Sequence, residues 1–519
     1  MNGAELLCET LLANGIDVCF ANPGTSEMHF VAALDQQPRM RCILGLFEGV
    51  VTGAADGYAR MAGKPAATLL HLGSGLGNGV ANLHNAQRAR SAIVNIVGDH
   101  ARHHLAFDAP LTSDIGAIAS AVSAQVRTVA SAEGLVPSIL DGIETALQPP
   151  GQVSTLILPA DVAWGEVGSD ARPAARQAPM AAQVDDAAIA GAAQTLRTGR
   201  AMLLLGGTAL RGDALRRAHA IARATGAKVL AETSNARMQR GRGAPRTDKL
   251  PYAVDAALQR LQEVSHLVLV GSRDPVAFFA YPGKPSRLAA EQCTVCELAS
   301  PHVDIDAALR RLMQALGVPD AHEVPMEPAV QVPAASSQQL DADTLCRAIA
   351  ALLPENAIVT DESVTQGRAF FGYSHGSAAH DYLQLTGGAI GIGMPLAIGA
   401  AVACPQRQVV SLQADGSAMY TVQALWTQAR ERLKCLTVIF SNRHYAILHH
   451  EMANVGVERL GRNAQSMLSI GSPDIQWAEL ARSLGVASAR AASPAAFLDA
   501  FRHGLQHDGP FLIEAVLPG

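Results

Sequence analysis

Asp415 and Asn442 carry oxygens suited to a hard cation, and each stands in a short polar turn after an apolar run: Gln413-Ala414-Asp415-Gly416-Ser417 and Ser441-Asn442-Arg443-His444. Val409 to Leu412 read as one strand and Leu436 to Phe440 as a second, with helical spacing around Met419 to Ala429 between them. That βαβ order brings the two turns, whose key residues lie 27 positions apart, to one edge of a parallel sheet. Magnesium takes a near-octahedral oxygen shell, with one or two ligands from protein and the others from phosphate and water. Gly416 lets a phosphate approach the backbone, and at Ser417 the free N–H groups of the following helix face the same anion. The expected ligand is a metal-bound diphosphate. A lone Asp-Gly-Ser would be an ordinary strand-to-helix cap; the second polar turn points beyond that.

With both turns in place, the chain resembles the thiamine diphosphate (ThDP) enzymes, whose motif runs from Gly-Asp-Gly to Asn-Asn across a helix and a strand. Ala414 stands at the motif's first Gly and Ser441 at its first Asn, while the metal-ligating positions Asp415 and Asn442 are retained. The resemblance implies ThDP with Mg2+ as cofactor, and a third metal ligand from the backbone carbonyl of His444.

The elements that must position these turns recur along the chain. A helix followed by a buried strand opens three times, at Asn2 to Asn22, Val184 to Gly206 and Asp341 to Glu362, each opening an α/β unit. Pro- and Ala-rich stretches around Gly165 to Gln183 and Val318 to Gln339 fit linkers. The expected architecture is α/β: three doubly wound domains with mainly parallel sheets, at 1–165, 184–318 and 340–519. In a ThDP enzyme the first would hold the aminopyrimidine, the third the diphosphate, and the second would serve largely as scaffold.

Composition narrows the function class. The 519 residues exceed one core and suggest about three or four domains; 49% hydrophobic and 17% charged residues describe a well-buried globular protein. No apolar run is long enough to span a bilayer, and the start Met1-Asn2-Gly3-Ala4-Glu5 lacks a basic n-region, so no membrane partner and a cytoplasmic location are expected. A net charge of −6 without a basic block argues against nucleic acid. The eight cysteines are scattered, and Cys293-Thr294-Val295-Cys296 lies in a strand-like run that sends the two thiols to opposite faces, so free thiols are expected.

In the first domain, the apolar run Ile43 to Phe47 ends at Glu48, and a helical pattern then continues to Met61. On its own, Glu48 is a carboxylate favoured by a helix N-terminus. The segment through Ala55-Asp56-Gly57-Tyr58-Ala59-Arg60 is similar to the family's cofactor-activating segment, which implies that Glu48 sets the pyrimidine tautomer whose nitrogen takes the thiazolium C2 proton. Asn22-Pro23-Gly24-Thr25-Ser26-Glu27 follows the first strand as a binding turn should. It resembles the Asn-Pro-Gly turn of the benzoylformate decarboxylases, implying that Asn22 and Pro23 line the cofactor and that Thr25, with Ser26 beside it, touches substrate. Gly73-Ser74-Gly75-Leu76-Gly77-Asn78 is expected as a glycine-rich loop before a helix, with the wrong spacing for a dinucleotide fingerprint. His71 projects at the preceding strand end, where the resemblance implies proton transfer; His100, His103 and His104 follow the next strand and fit a solvated loop equally well.

In the third domain, the segment Thr386 to Pro395 resembles the family's cofactor-bending segment, with Gly388 allowing close approach and Ile390 at the place of the apolar wedge. Ser363 and Thr365 follow the strand from Ala357 to Thr360, where they can bond phosphate or cap a turn; His449 and His450 have no assigned role. The resemblance implies attack on a small 2-oxo acid, loss of carbon dioxide, and an enamine that is protonated to an aldehyde or captured by a second carbonyl. Asp274 to Pro282 has Phe278 and Phe279 near where benzoylformate decarboxylase carries a second active-site His, which weakens simple aldehyde release. An acetolactate synthase-like decarboxylase or carboligase without FAD is therefore expected. Benzoylformate decarboxylase-like chemistry and a catalytically idle ThDP-binding subunit are the alternatives. The family also implies a homo-oligomer, at least a dimer, with active sites between subunits.

Overall fold

The computed structural model describes residues 1–168, 170–320, 324–457 and 459–518. Its strands are β1 (Val18–Asn22), β2 (Arg41–Leu44), β3 (Ala66–Leu70), β4 (Ile93–Asp99), β5 (Gln125–Thr128), β6 (Val153–Pro159), β7 (Ala201–Leu205), β8 (Lys228–Ala231), β9 (Met238–Arg240), β10 (His266–Val270), β11 (Thr294–Ala299), β12 (Ala357–Glu362), β13 (His380–Gln384), β14 (Val409–Ala414), β15 (Cys435–Ser441), β16 (Ala487–Ala491) and β17 (Phe511–Val516). They form three sheets, ordered β2-β1-β3-β4-β6-β5, β11-β10-β7-β8 and β16-β17-β15-β14-β12-β13-β9. Every pairing is parallel except β9 on β13. β9 leaves the middle stretch of chain to extend the third sheet, so sheet membership does not follow sequence order.

Parallel sheets need both faces covered, and the central strands accordingly read as near-continuous apolar runs; β3 and β7 are buried along their whole length. The three helix-strand openings form as expected, with helices Gly3–Ala13, Asp186–Arg197 and Ala342–Leu352 preceding β1, β7 and β12. Asn2, Asp185 and Asp341 cap them through side-chain oxygens. Among the described residues all eight cysteines are free, and no helix is long and apolar enough to cross a membrane.

Two expected local features differ. Gly73 to Asn78 belong to a helix, Leu72–Ala89, in which glycine serves close packing: a Cβ at Gly73 would fall 2.0 Å from Ser113 Oγ and one at Gly75 3.0 Å from Glu48 Oε1. The helical pattern after Ser417 is broken into a one-turn helix Asp415–Ala418, a 3-10 turn Met419–Thr421 and a helix Ala424–Arg430, so Asp415 opens a helix directly instead of sitting in a turn.

The first and third sheets meet through helices Glu48–Ala62 and Gly393–Ala403. Every residue of the former except Ala62 is buried. The two backbones touch: a Cβ at Gly399 would fall 1.9 Å from the Ala54 carbonyl oxygen, and one at Gly57 2.2 Å from that of Leu396. Arg60 seals the contact. It donates to both Asp56 oxygens (2.7 and 2.5 Å), and to the carbonyls of Gln384 (2.7 Å) and Ala236 (3.1 Å), tying this helix to the third sheet and the middle stretch. Gly399→Ala should therefore destabilise the protein by about 2–3 kcal/mol, since a backbone oxygen cannot rotate away. Gly372→Ala, where a Cβ meets nothing within 4 Å, should be neutral. Urea unfolding of both variants checks this; equal midpoints would show that the helices do not need the contact.

Candidate active site

At the third sheet, β14 and β15 pair in register to Ala414 and Phe440, so the chain leaves both strands at the same edge. Asp415 Oδ2 accepts the Arg443 N–H (2.6 Å) and Oδ1 the Gly416 N–H (2.8 Å), which locks the two turns together. Asn442 Oδ1 accepts the His444 N–H at 3.3 Å. Asp415 is 2% exposed, and burial pushes its carboxyl above the usual range despite these N–H donors; no charged partner offsets it. Gly416 is required by the ring of Tyr445, whose Cε1 would lie 2.4 Å from an added Cβ. The His444 backbone bridges Ser469, and its ring meets His449 edge-on at 6.0 Å.

β12 adjoins β14, so the residues after it reach the same edge. The Thr365 hydroxyl is buried without a partner, whereas the Ser363 hydroxyl is given to Asp361 Oδ1 (2.5 Å). Ser417 Oγ donates to the Ala414 and Glu362 carbonyls (3.1 and 3.3 Å). A carboxylate, an amide oxygen and an orphaned buried hydroxyl at one edge fit a magnesium diphosphate.

The first sheet carries the remaining candidate residues. Glu48, Asn22 and His71 follow or close β2, β1 and β3, three neighbouring strands. Glu48 is 7% exposed, opens its helix, and accepts a hydrogen bond from Asn78 Nδ2 at 3.0 Å. Thr25 is exposed, in the 3-10 turn Thr25–Glu27. Beneath it, buried Glu27 accepts from the Gly24 N–H (2.8 Å), Ser26 Oγ (2.6 Å) and His71 Nδ1 (2.8 Å). A carboxylate has no proton to give, so Nδ1 carries the hydrogen of that bond. Asn82, on the helix after β3, donates to the Gly49 carbonyl (2.7 Å) and to the Gly391 carbonyl (3.4 Å), joining the residue after Glu48 to the segment that bears Gly388 and Ile390.

Comparison with known proteins accords with this geometry. The family model "Thiamine pyrophosphate enzyme, N-terminal TPP binding domain" matches residues 1–122, and its C-terminal TPP binding domain counterpart matches residues 366–515. A Mycobacterium tuberculosis protein provisionally named acetolactate synthase large subunit IlvX is 49% identical over 100% of this chain and 99% of its own length. The chain belongs to the thiamine pyrophosphate enzymes. Benzoylformate decarboxylase of Pseudomonas aeruginosa is 29% identical over 98% of the chain and 97% of its own length. The structure of the ThDP-dependent 4-hydroxybenzoylformate decarboxylase of Rhodococcus jostii RHA1 superposes with a TM-score of 0.87 at 26% identity, covering 100% of this chain and 99% of that one. The protein is thus a ThDP-family enzyme acting on 2-oxo acids, and thiamine diphosphate is its cofactor.

Several residues that shape this ThDP site were not singled out by sequence. Glu362, seen only as a strand end, turns its buried carboxylate onto the N–H groups of Gly391, Ile392 and Gly393 (2.7, 3.3 and 2.8 Å). Glu27, Asn78 and Asn82 are likewise partners visible only in three dimensions. Phe278 packs on the cofactor segment, its Cζ 3.0 Å from where a Gly388 Cβ would stand, and its ring lies 5.2 Å from that of Tyr252. His103, His104, His449 and His450 are exposed, and His100 keeps a buried Nε2 without a partner.

Burial pushes the Glu362 carboxyl from 4.5 up to about 7, outweighing its three N–H donors. The folded protein therefore holds an extra proton between those values, so this group's stabilisation is full below about pH 4.5 and is lost as pH rises through 7. Measured against Glu362→Gln, which cancels the other titrations, the wild type should lose roughly 3 kcal/mol between about pH 4.5 and pH 8. Urea unfolding across that range tests this; parallel curves would mean that Glu362 titrates normally.

Proposed function

We propose that the protein is a Mg2+- and ThDP-dependent decarboxylase and carboligase of small 2-oxo acids, acetolactate synthase-like and working in the cytoplasm without FAD. Asp415, Asn442 and the His444 carbonyl hold the metal, and Thr365 donates to the diphosphate beside Gly416 and Ser417. The Ser363 hydroxyl, held by Asp361, shapes that turn. Gly388 and Ile390 would support the cofactor, and because the site lies between subunits, Asn22, Pro23 and Glu48 of one copy would border the cofactor held by another, with the Glu48 carboxyl at its pyrimidine. ThDP supplies the electron sink that lets carbon dioxide leave.

The observation that carries carboligation is Phe278. Its ring stands over Gly388, where a proton donor would be needed for rapid release of an aldehyde, and a hydrocarbon face offers none. Without a proton donor at that place, capture by a second carbonyl would compete with protonation. His71, held by Glu27 through Nδ1, would exchange a proton with substrate oxygen, and the exposed Thr25 hydroxyl would touch substrate. This cluster also favours a second reading, benzoylformate decarboxylase-like aldehyde release with His71 as sole donor.

A homo-oligomer, at minimum a dimer and in its full form a tetramer, is part of the proposal. Leu46, Met419 and Tyr420 are 47%, 46% and 56% exposed beside Glu48 and Ser417, an apolar border that supports cover by another copy of the chain.

Incubation with pyruvate, 2-oxobutyrate, benzoylformate or branched oxo acids, with and without aldehyde acceptors, should release carbon dioxide and give ligated products in excess of aldehyde. Aldehyde alone would favour the second reading, and ThDP binding without carbon dioxide an idle subunit. Phe278→His should raise the aldehyde-to-ligation ratio by about tenfold, within the range a positioned general acid contributes. Glu48→Gln should keep the fold and slow C2-proton exchange of bound ThDP by about a hundredfold or more; exchange at the wild-type rate would remove Glu48 from its role.

A further inference from the structure

A cavity of about 650 Å³ lies where the middle stretch meets helix Arg368–Tyr373, lined among others by Lys228, Asp248, Lys249, Gln259, Arg260 and Phe371. Its charged side chains pair off with one exception. Lys228 meets Glu263 at 3.3 Å and Arg260 meets Asp248 at 3.1 Å, while the other Asp248 oxygen faces His375 Nε2 at 3.2 Å and Arg246 at 3.9 Å. Among the described residues, no carboxylate and no hydrogen-bond acceptor pairs with the Lys249 amine, which stands 4.5 Å from the centre of the Phe371 ring. The same ring carries a second cation, Arg240, whose Cζ lies 3.5 Å from the centre. Arg240 is 3% exposed, and its guanidinium donates to the Thr247 and Phe371 carbonyls, to Ser374 Oγ and to His375 Nε2, none of them a carboxylate. An aromatic face attracts either cation, but two like charges with little water between them repel. The lysine gives way: burial pushes its amine from 10.5 down to about 8, with Asp361 opposing and Arg240 and Arg368 reinforcing the change. At about pH 7.5 such an amine is free base roughly a hundred times more often than an ordinary lysine. Lys249 is only half-buried, so a small molecule can reach it.

We propose that Lys249 is a modification site for carbon dioxide, which its unpaired amine converts reversibly into a carbamate beside Arg240. The Nζ lone pair attacks the carbon of dissolved carbon dioxide, an N–C bond forms as one C–O π pair moves onto oxygen, and Nζ passes a proton to solvent. Nothing is oxidised or reduced. The product exchanges a surplus positive site for a carboxylate next to the buried guanidinium that has none, so repulsion across the Phe371 ring becomes attraction. Lys228 and Arg260 border the same cavity and add to the positive surroundings. Carbon dioxide is also what the proposed reaction releases, but the chemistry at Lys249 needs only the dissolved gas, and every group it uses belongs to one chain.

The test equilibrates the full-length protein, without ThDP or substrate, with carbon-13 bicarbonate at about pH 7.5, where the free amine differs most usefully from other lysines. A trialkyloxonium salt then fixes any carbamate as its ester before proteolysis and mass spectrometry. Labelled ester should appear at Lys249 at least about tenfold above Lys64, Lys228, Lys284 and Lys434, the chain's other lysines. Unlabelled bicarbonate should shift the mass of that peptide down by the isotope difference, showing that the carbon came from the dissolved gas. Lys249→Arg keeps a cation for the Phe371 ring but has no amine to react, and should lose the labelled site without a new one arising. Ester spread evenly over all the lysines, or absent from Lys249, would overturn the proposal; the wild type alone decides this, whatever the variant does. Because neither cofactor nor substrate is present, such a failure would leave the function proposed above untouched.

Discussion

The site depends on a contact with no side chain in it. Gly57 and Gly399 bring helices Glu48–Ala62 and Gly393–Ala403 together backbone to backbone, and each of these helices begins beside candidate site residues. Glu48 opens the first; the cofactor segment runs directly into the second. Two rigid rods touching at fixed points have little freedom to slide, so their N-termini are held in register. The buried Asp56–Arg60 pair fastens the same interface, and its guanidinium reaches Gln384 and Thr386 at the entrance to the cofactor segment. A buried ion pair is a poor source of net stability but a strong source of specific placement, because breaking it strands a charge.

The cofactor segment shows why such anchoring is needed. A ligand lying across it would require backbone groups aimed outward, so the segment cannot satisfy itself as helix or strand. Its remaining polar groups must then find partners inside the protein. Asn82, Asn85 and Glu362 provide them, from the first sheet's helix on one side and the end of β12 on the other. Glu362 illustrates the cost: its three N–H donors do not fully replace water, and its carboxyl stays high.

Much of this was legible in the chain. The polar turns after two apolar runs pointed to Asp415 and Asn442 as candidates, which the paired strands bring to one edge, and the helix-strand openings and parallel α/β class follow from apolar periodicity and caps. What was not legible has one physical character. Glu27, Asn82, Asn85 and Glu362 act through backbone groups far away in sequence, and a backbone N–H has no residue type to read. Gly73 to Asn78 misled for a related reason: glycine marks a loop or a close helix contact equally, and only the positions of Ser113 and Glu48, which face Gly73 and Gly75, decide between them. Thr365 and Ser363 look alike in sequence, yet the neighbouring Asp361 takes one hydroxyl and leaves the other free.

The two buried carboxylates of the third sheet make opposite arrangements with their surroundings, and the contrast bears on what each is for. Glu362 faces three N–H groups of a fixed segment, which occupy both of its oxygens. Asp415 instead accepts the N–H groups of Gly416 and Arg443 from two separate turns, and Asn442 lies at the same edge with an oxygen turned toward backbone. No basic side chain neutralises Asp415 although it is almost wholly buried. A carboxylate kept in that state is stabilised by a small cation, and the unpartnered Thr365 hydroxyl after β12 suits the anion such a cation would bring. Glu362 is thus spent on shape, whereas Asp415 retains the capacity for a ligand.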